Sequence, residues 1–87
     1  MLKVAEAGVK KIPLMELVEG WESKRFGRDK AIYVHVGSGV KFDVVIENGK
    51  FLVRSNTPGQ KEVVLDTEEE LKRFLFKMMC LIDNYSI

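Results

Sequence analysis

The side chains with the most distinctive chemistry fall between positions 24 and 54. Lys24, Arg25, Arg28, Lys30, Lys41 and Arg54 are cationic, and Phe26, Tyr33 and His35 are interleaved with them. Lys and Arg neutralise phosphates and flat rings stack on bases, so this mixture has the chemistry to hold a single-stranded nucleic acid. The charge is also segregated. Residues 24–61 hold eight Lys or Arg against three Asp or Glu, and residues 62–87 hold three against six, within a total of +1. A field divided in this way steers an anionic partner even when the sum is near zero.

Other chemistries find little material. There is one histidine, His35, and one cysteine, Cys80. A nucleophile or base needs an orienting partner, and a metal needs several ligands. No catalytic residue, metal set, cofactor or small-molecule substrate is therefore expected. Cys80 lies in an apolar helical stretch and reads as a structural residue rather than a reactive one. Gly37-Ser38-Gly39 has neither phosphate-loop lysine spacing nor a nucleophile-elbow frame, and reads as a hairpin turn. No apolar run nears the roughly 20 residues that cross a bilayer, and no signal-peptide pattern opens the chain. With one unpaired cysteine, a soluble cytoplasmic protein without a membrane partner is expected. Charged residues reach 31% with a single glutamine, a thermophile-like balance.

These residues need elements to position them. Eighty-seven residues with 46% apolar content suit one domain, 1–87, with a core of its own. MLKVAEAGVKK reads as either a short strand or a frayed helical turn. From Pro13, a good first helical residue, Leu14, Leu17, Val18 and Trp21 recur at helical spacing, which predicts a helix over about 13–25 ending near Gly27. AIYVHV, VKFDVVIE and KFLVRS then read as strands, rich in β-branched and aromatic residues. Asn48-Gly49 is a two-residue hairpin signal, TPGQ has the form of a type II turn, and EVVLD follows as a short fourth strand.

Turns set register, and register sets faces. Asn48-Gly49 places Ile46 opposite Phe51, Val44 opposite Val53 and Asp43 opposite Arg54. A three-residue loop, Gly37-Ser38-Gly39, would place Val36 opposite Val40, Val34 opposite Phe42 and Ile32 opposite Val44. The core face would then be Ile32, Val34, Val36, Val40, Phe42, Val44, Ile46, Phe51 and Val53. Tyr33, His35, Lys41, Asp43 and Arg54 would stand on the outer face beside Ala31, Val45 and Leu52, with Asp43 and Arg54 as a cross-strand ion pair. Lys24, Arg25, Phe26, Arg28 and Lys30 would adjoin that face from the linker. Trp21, on the stripe with Leu14, Leu17 and Val18, reads first as core, and its place at the last turn beside the basic linker leaves a stacking role open.

The last element opens with a capping box, Thr67 to Glu70, and an acidic first turn. Leu71, Phe74, Leu75, Met78 and Ile82 form its core stripe. Phe76, Met79 and Cys80 remain on the far side as apolar surplus, which points to a homodimer or tetramer interface.

The order of elements resembles two groups of small single-stranded-DNA-binding proteins. In the whirly and transcriptional-coactivator group, a curved sheet is followed by a proline-glycine turn, a short strand and a helix, similar to PGQKEVVLDTEEELKRFL here. The ThermoDBP-like group of thermophiles is similar in being small and oligomeric, and in binding strands through aromatic and basic residues. The resemblance implies stacking or phosphate contact for Trp21, Arg25, Phe26, Arg28, Tyr33, His35, Lys41 and Arg54. The expectation is an α+β domain, a four-stranded antiparallel meander between a preceding helix and a C-terminal helix. Its expected role is sequence-tolerant binding of single-stranded nucleic acid, DNA first, by a homo-oligomer. A protein-interaction or assembly module without nucleic-acid binding is the alternative.

Overall fold

Five strands, not four, run consecutively through the middle of the chain: β1 (Trp21–Arg25), β2 (Lys30–His35), β3 (Lys41–Glu47), β4 (Lys50–Ser55) and β5 (Val63–Leu65). They form one antiparallel meander in the order β1-β2-β3-β4-β5, followed by a helix, α1 (Glu68–Tyr85). The computed structural model describes residues 11–85, and side chains as far as residue 82. Residues 1–10, and with them most of the ambiguous MLKVAEAGVKK, lie outside the described residues.

The helix expected at 13–25 is not formed. Residues 11–18 carry no regular secondary structure, and Trp21 opens β1. A helical stripe would bury Leu14 with Leu17 and Val18, yet Leu14 is 82% exposed while Ile12 is wholly buried. The segment is an extended strap. Ile12 N–H donates to the Arg28 carbonyl at 2.9 Å, and the Arg25 guanidinium donates to the carbonyls of Ile12 and Pro13. Pro13 disfavours helical geometry at Ile12, and burial of Ile12, Met15, Leu17 and Val18 against the core outweighs their helical spacing. Gly20 then turns the chain with φ +93°, as Trp21 N–H donates to Val18 C=O at 3.1 Å. Positive φ at the third residue of such a turn is the type II form.

The Asn48-Gly49 turn has positive φ at both residues, and it sets the expected pairs Ile46–Phe51, Val44–Val53 and Asp43–Arg54. The other hairpin differs by one residue. Its loop is Val36–Gly39, with His35 N–H bonded to Val40 C=O and Gly39 N–H to His35 C=O, both at 2.8 Å. The His35 imidazole selects this longer loop. Its Nδ1 lies 2.7 Å from Ser38 Oγ and 3.2 Å from Ser38 N, and Val40 N–H donates to Ser38 Oγ. Asn56 secures the far side, accepting from Lys41 N–H at 2.8 Å and donating to Gly39 C=O. Tyr33 therefore pairs with Phe42 and Ala31 with Val44. A slip of one residue turns every side chain of β2 over. Ala31, Tyr33 and His35 face the core, Ile32 and Val34 face outward, and Val36 is 60% exposed in the loop.

The core lies on one side of the sheet. Phe42, Val44, Phe51 and Val53 meet Leu71, Leu75 and Met79 of α1, with Trp21, Tyr33, Ala31 and Ile12 completing the cluster. The capping box forms as expected. Glu70 N–H donates to Thr67 Oγ1 at 3.1 Å, while Glu70 Oε1 accepts from the N–H groups of Thr67 and Asp66. The buried row of α1 is Leu71, Leu75 and Met79, flanked by half-buried Phe74, Met78 and Ile82.

Candidate nucleic-acid interface

With α1 and the strap on one side, the opposite sheet face holds the candidate site. The observed register assembles it in layers. Across β1 and β2, Glu22 stands opposite Val34 and Lys24 opposite Ile32. Across β2 and β3, Val34 meets Lys41, Ile32 meets Asp43 and Lys30 meets Val45. Across β3 and β4, Asp43 meets Arg54, Val45 meets Leu52 and Glu47 meets Lys50. The result is a half-buried apolar floor of Ile32, Val34, Val45 and Leu52, bordered by charged side chains that are mostly cationic.

Two shallow depressions share this face. One, of about 400 Å³, is lined by Glu22, Ser23, Lys24, Phe26, Ile32, Val34 and Lys41. The second, of about 250 Å³, is lined by Lys30, Asp43, Val45, Glu47, Leu52 and Arg54. Phe26, 49% exposed, sits at the β1–β2 connection, and the Lys30 ammonium lies 5.7 Å from its ring centroid. An exposed ring beside cations offers a stacking surface with phosphate contacts in reach.

The expected residues divide accordingly. Lys24, Phe26, Lys30, Lys41 and Arg54 are brought together on the outer face, and Arg28 is exposed in the loop beside them. Arg25 points the other way, toward the strap carbonyls. Trp21, Tyr33 and His35 are core residues, with 5%, 2% and 6% exposure, so the stacking roles expected of them do not fit their positions. Trp21 stacks on Phe42 at 5.8 Å between centroids and tilts against His35 at 5.2 Å. Burial pushes the Tyr33 phenol above its usual pKa, and the Arg25 guanidinium partly opposes the shift.

Two further expectations change. Asp43 and Arg54 are opposite in register but do not form the expected ion pair. Arg54 Nε lies 3.6 Å from Glu62 Oε2, and Asp43 Oδ1 is buried without a hydrogen-bond partner. On α1, Met79 is wholly buried within its own chain and leaves the expected interface, while Phe76 is 55% exposed and Cys80 half-buried. Phe76 borders a separate apolar depression with Met15, Glu16, Lys72 and Arg73. The floor residues Ile32 and Val34 escaped sequence reasoning. The signal that would have found them is the His35–Ser38 spacing, since a side-chain bond across it lengthens the loop.

The molecule thus belongs, by architecture, to the α+β domains, with a five-stranded meander sheet that the described residues cover on one face and leave uncovered on the other. No protein-family model matches the chain, and neither a curated protein nor a solved structure matches it. Among the described residues, no group of three or more His, Cys, Asp or Glu is placed to hold a metal ion.

Proposed function

We propose that the open sheet face binds single-stranded nucleic acid, DNA first, with little sequence preference. The observation that carries this reading is the grouping of Lys24, Lys30, Lys41 and Phe26 around an apolar floor that neither α1 nor the strap covers. An extended strand laid across the β-strands can set bases on Phe26 and on the floor while its phosphates approach the lysines. Stacking and charge have no base code, so affinity falls with salt rather than with sequence.

A second reading follows from the same floor together with Phe76. Ile32, Val34, Val45 and Leu52 are apolar surface of the kind that protein partners cover, so an interaction module without nucleic-acid binding is the rival. Titration of a labelled single-stranded oligonucleotide, followed by anisotropy, separates the two. The wild type binds at low salt and Lys24→Glu/Lys41→Glu loses at least about tenfold in affinity, since two phosphate contacts become repulsive. Wild-type protein that leaves the oligonucleotide free at low salt overturns the nucleic-acid reading.

A further inference from the structure

Among the described residues the sheet ends at two edge strands, β1 and β5, and they differ in what a second copy of the same strand would meet. On β1, Val36 N–H donates to Gly20 C=O and Phe26 N–H donates to Lys30 C=O, both at 2.9 Å. In an antiparallel ladder these groups alternate. Gly20, Glu22, Lys24 and Phe26 therefore turn their peptide groups toward β2, while those of Trp21, Ser23 and Arg25 point away from it, the Trp21 N–H being already taken by Val18 C=O. Glu22, Ser23, Lys24 and Arg25 are all exposed, and among the described residues the strap meets β1 only near its ends, at Trp21 N–H and at the Arg25 guanidinium.

We infer that a second copy of this chain docks by antiparallel pairing of β1 with β1 about a two-fold axis at Ser23. In that register Ser23 faces Ser23 of the other copy and the two exchange N–H···O=C bonds. Glu22 faces Lys24 on the outer face, once on each side of the axis. The charges select this register among those the outward peptide groups allow. Sliding by one pair in one direction sets Glu22 against Glu22, and sliding in the other sets Lys24 against Lys24. Like charges directly opposite destabilise a strand pair, and unlike charges stabilise it. The β5 edge lacks this property. Self-pairing about Val64 sets Glu62 against Asp66, and those carboxylates already turn back to Arg54 and Lys50. Exposed edges pair unless something blocks them, and β1 alone has charges that favour its own copy.

The contact is isologous, so it closes as a dimer rather than growing into a fibre. It joins two five-stranded sheets into one of ten strands. The depressions beside Lys24 of each copy then lie next to each other across the axis. The inference stands without the nucleic-acid reading, because its readout is mass in the absence of any oligonucleotide.

The test is light scattering after size exclusion on the full chain, over a concentration series. The wild type is expected at twice the 9.9 kDa of one chain. Glu22→Lys and Lys24→Glu should each weaken the dimer by about tenfold or more, because two attractive pairs become repulsive. The double exchange Glu22→Lys/Lys24→Glu restores opposite charges and should restore the dimer, with circular dichroism showing all variants folded. A monomeric wild type at high concentration, a dimer indifferent to both single reversals, or a folded double variant that stays monomeric each overturns the inference. Ser23→Pro supplies an independent check. It removes the outward N–H without touching a bond to β2, and should also release monomer.

Discussion

At the residue scale, the decisive distinction is between side chains that resemble one another in sequence and differ in burial. Met79 and Phe76 are three positions apart on α1, yet one is wholly buried and the other half exposed. Met79→Ala should therefore cost about 2–5 kcal/mol in urea unfolding. Phe76→Glu should stay within about 0.5 kcal/mol, as exposed positions do. Similar costs at both sites would contradict the placement of α1. Tyr33 gives a second residue-scale prediction. Its phenol is raised above the usual value by burial, so the unfolded chain loses this proton first as pH climbs past about 10. The folded state then binds more protons than the unfolded state, and stability falls with rising pH in that window. The contribution is intact below it. Tyr33→Phe should flatten the alkaline limb of a stability-versus-pH curve, and an unchanged limb would count against the buried phenol.

At the element scale, one short loop determines which residues are available for function. The Asn48-Gly49 hairpin was legible because both of its residues must adopt positive φ, a local requirement written in two letters. The capping box at Thr67 was legible for the same reason. The Val36–Gly39 loop was not, since glycines permit several loop lengths and the choice rests on the His35–Ser38 bond. That single residue of slip exchanged Tyr33 and His35 for Ile32 and Val34 on the outer face. The strap at 11–20 misled for another reason. Helical spacing at Leu14, Leu17, Val18 and Trp21 is a weak preference that burial against a completed sheet overrides. β1 itself, WESKR, carries almost no strand signal, and its place is given by its partner β2. Ser38→Ala should cost about 1 kcal/mol and speed hydrogen exchange at the Val40 amide, which donates to Ser38 Oγ. Unaltered exchange there would mean that the serine does not hold the loop.

At the scale of the whole molecule, charge and coverage act together. The basic middle of the chain folds into the sheet, and much of the acidic end folds into the first turn of α1 on the other side. Lys24, Lys30 and Lys41 thus share a face that α1 and the strap leave uncovered, and a pairing of two β1 edges would extend it across two chains. Trp21 lies behind this face, packed on Phe42, so its fluorescence reports the core rather than direct contact with a ligand. The most direct test is anisotropy of a labelled single-stranded DNA oligonucleotide at stepped salt concentrations, with the wild type beside Lys30→Gln and Lys41→Gln. With three to four lysine or arginine contacts, log K should fall against log salt with a slope of about −2 to −3. Each substitution should reduce that slope by about 0.7 and weaken binding alike for different base sequences. Absence of binding at low salt, or a slope that neither substitution alters, would contradict a nucleic-acid-binding face on this sheet.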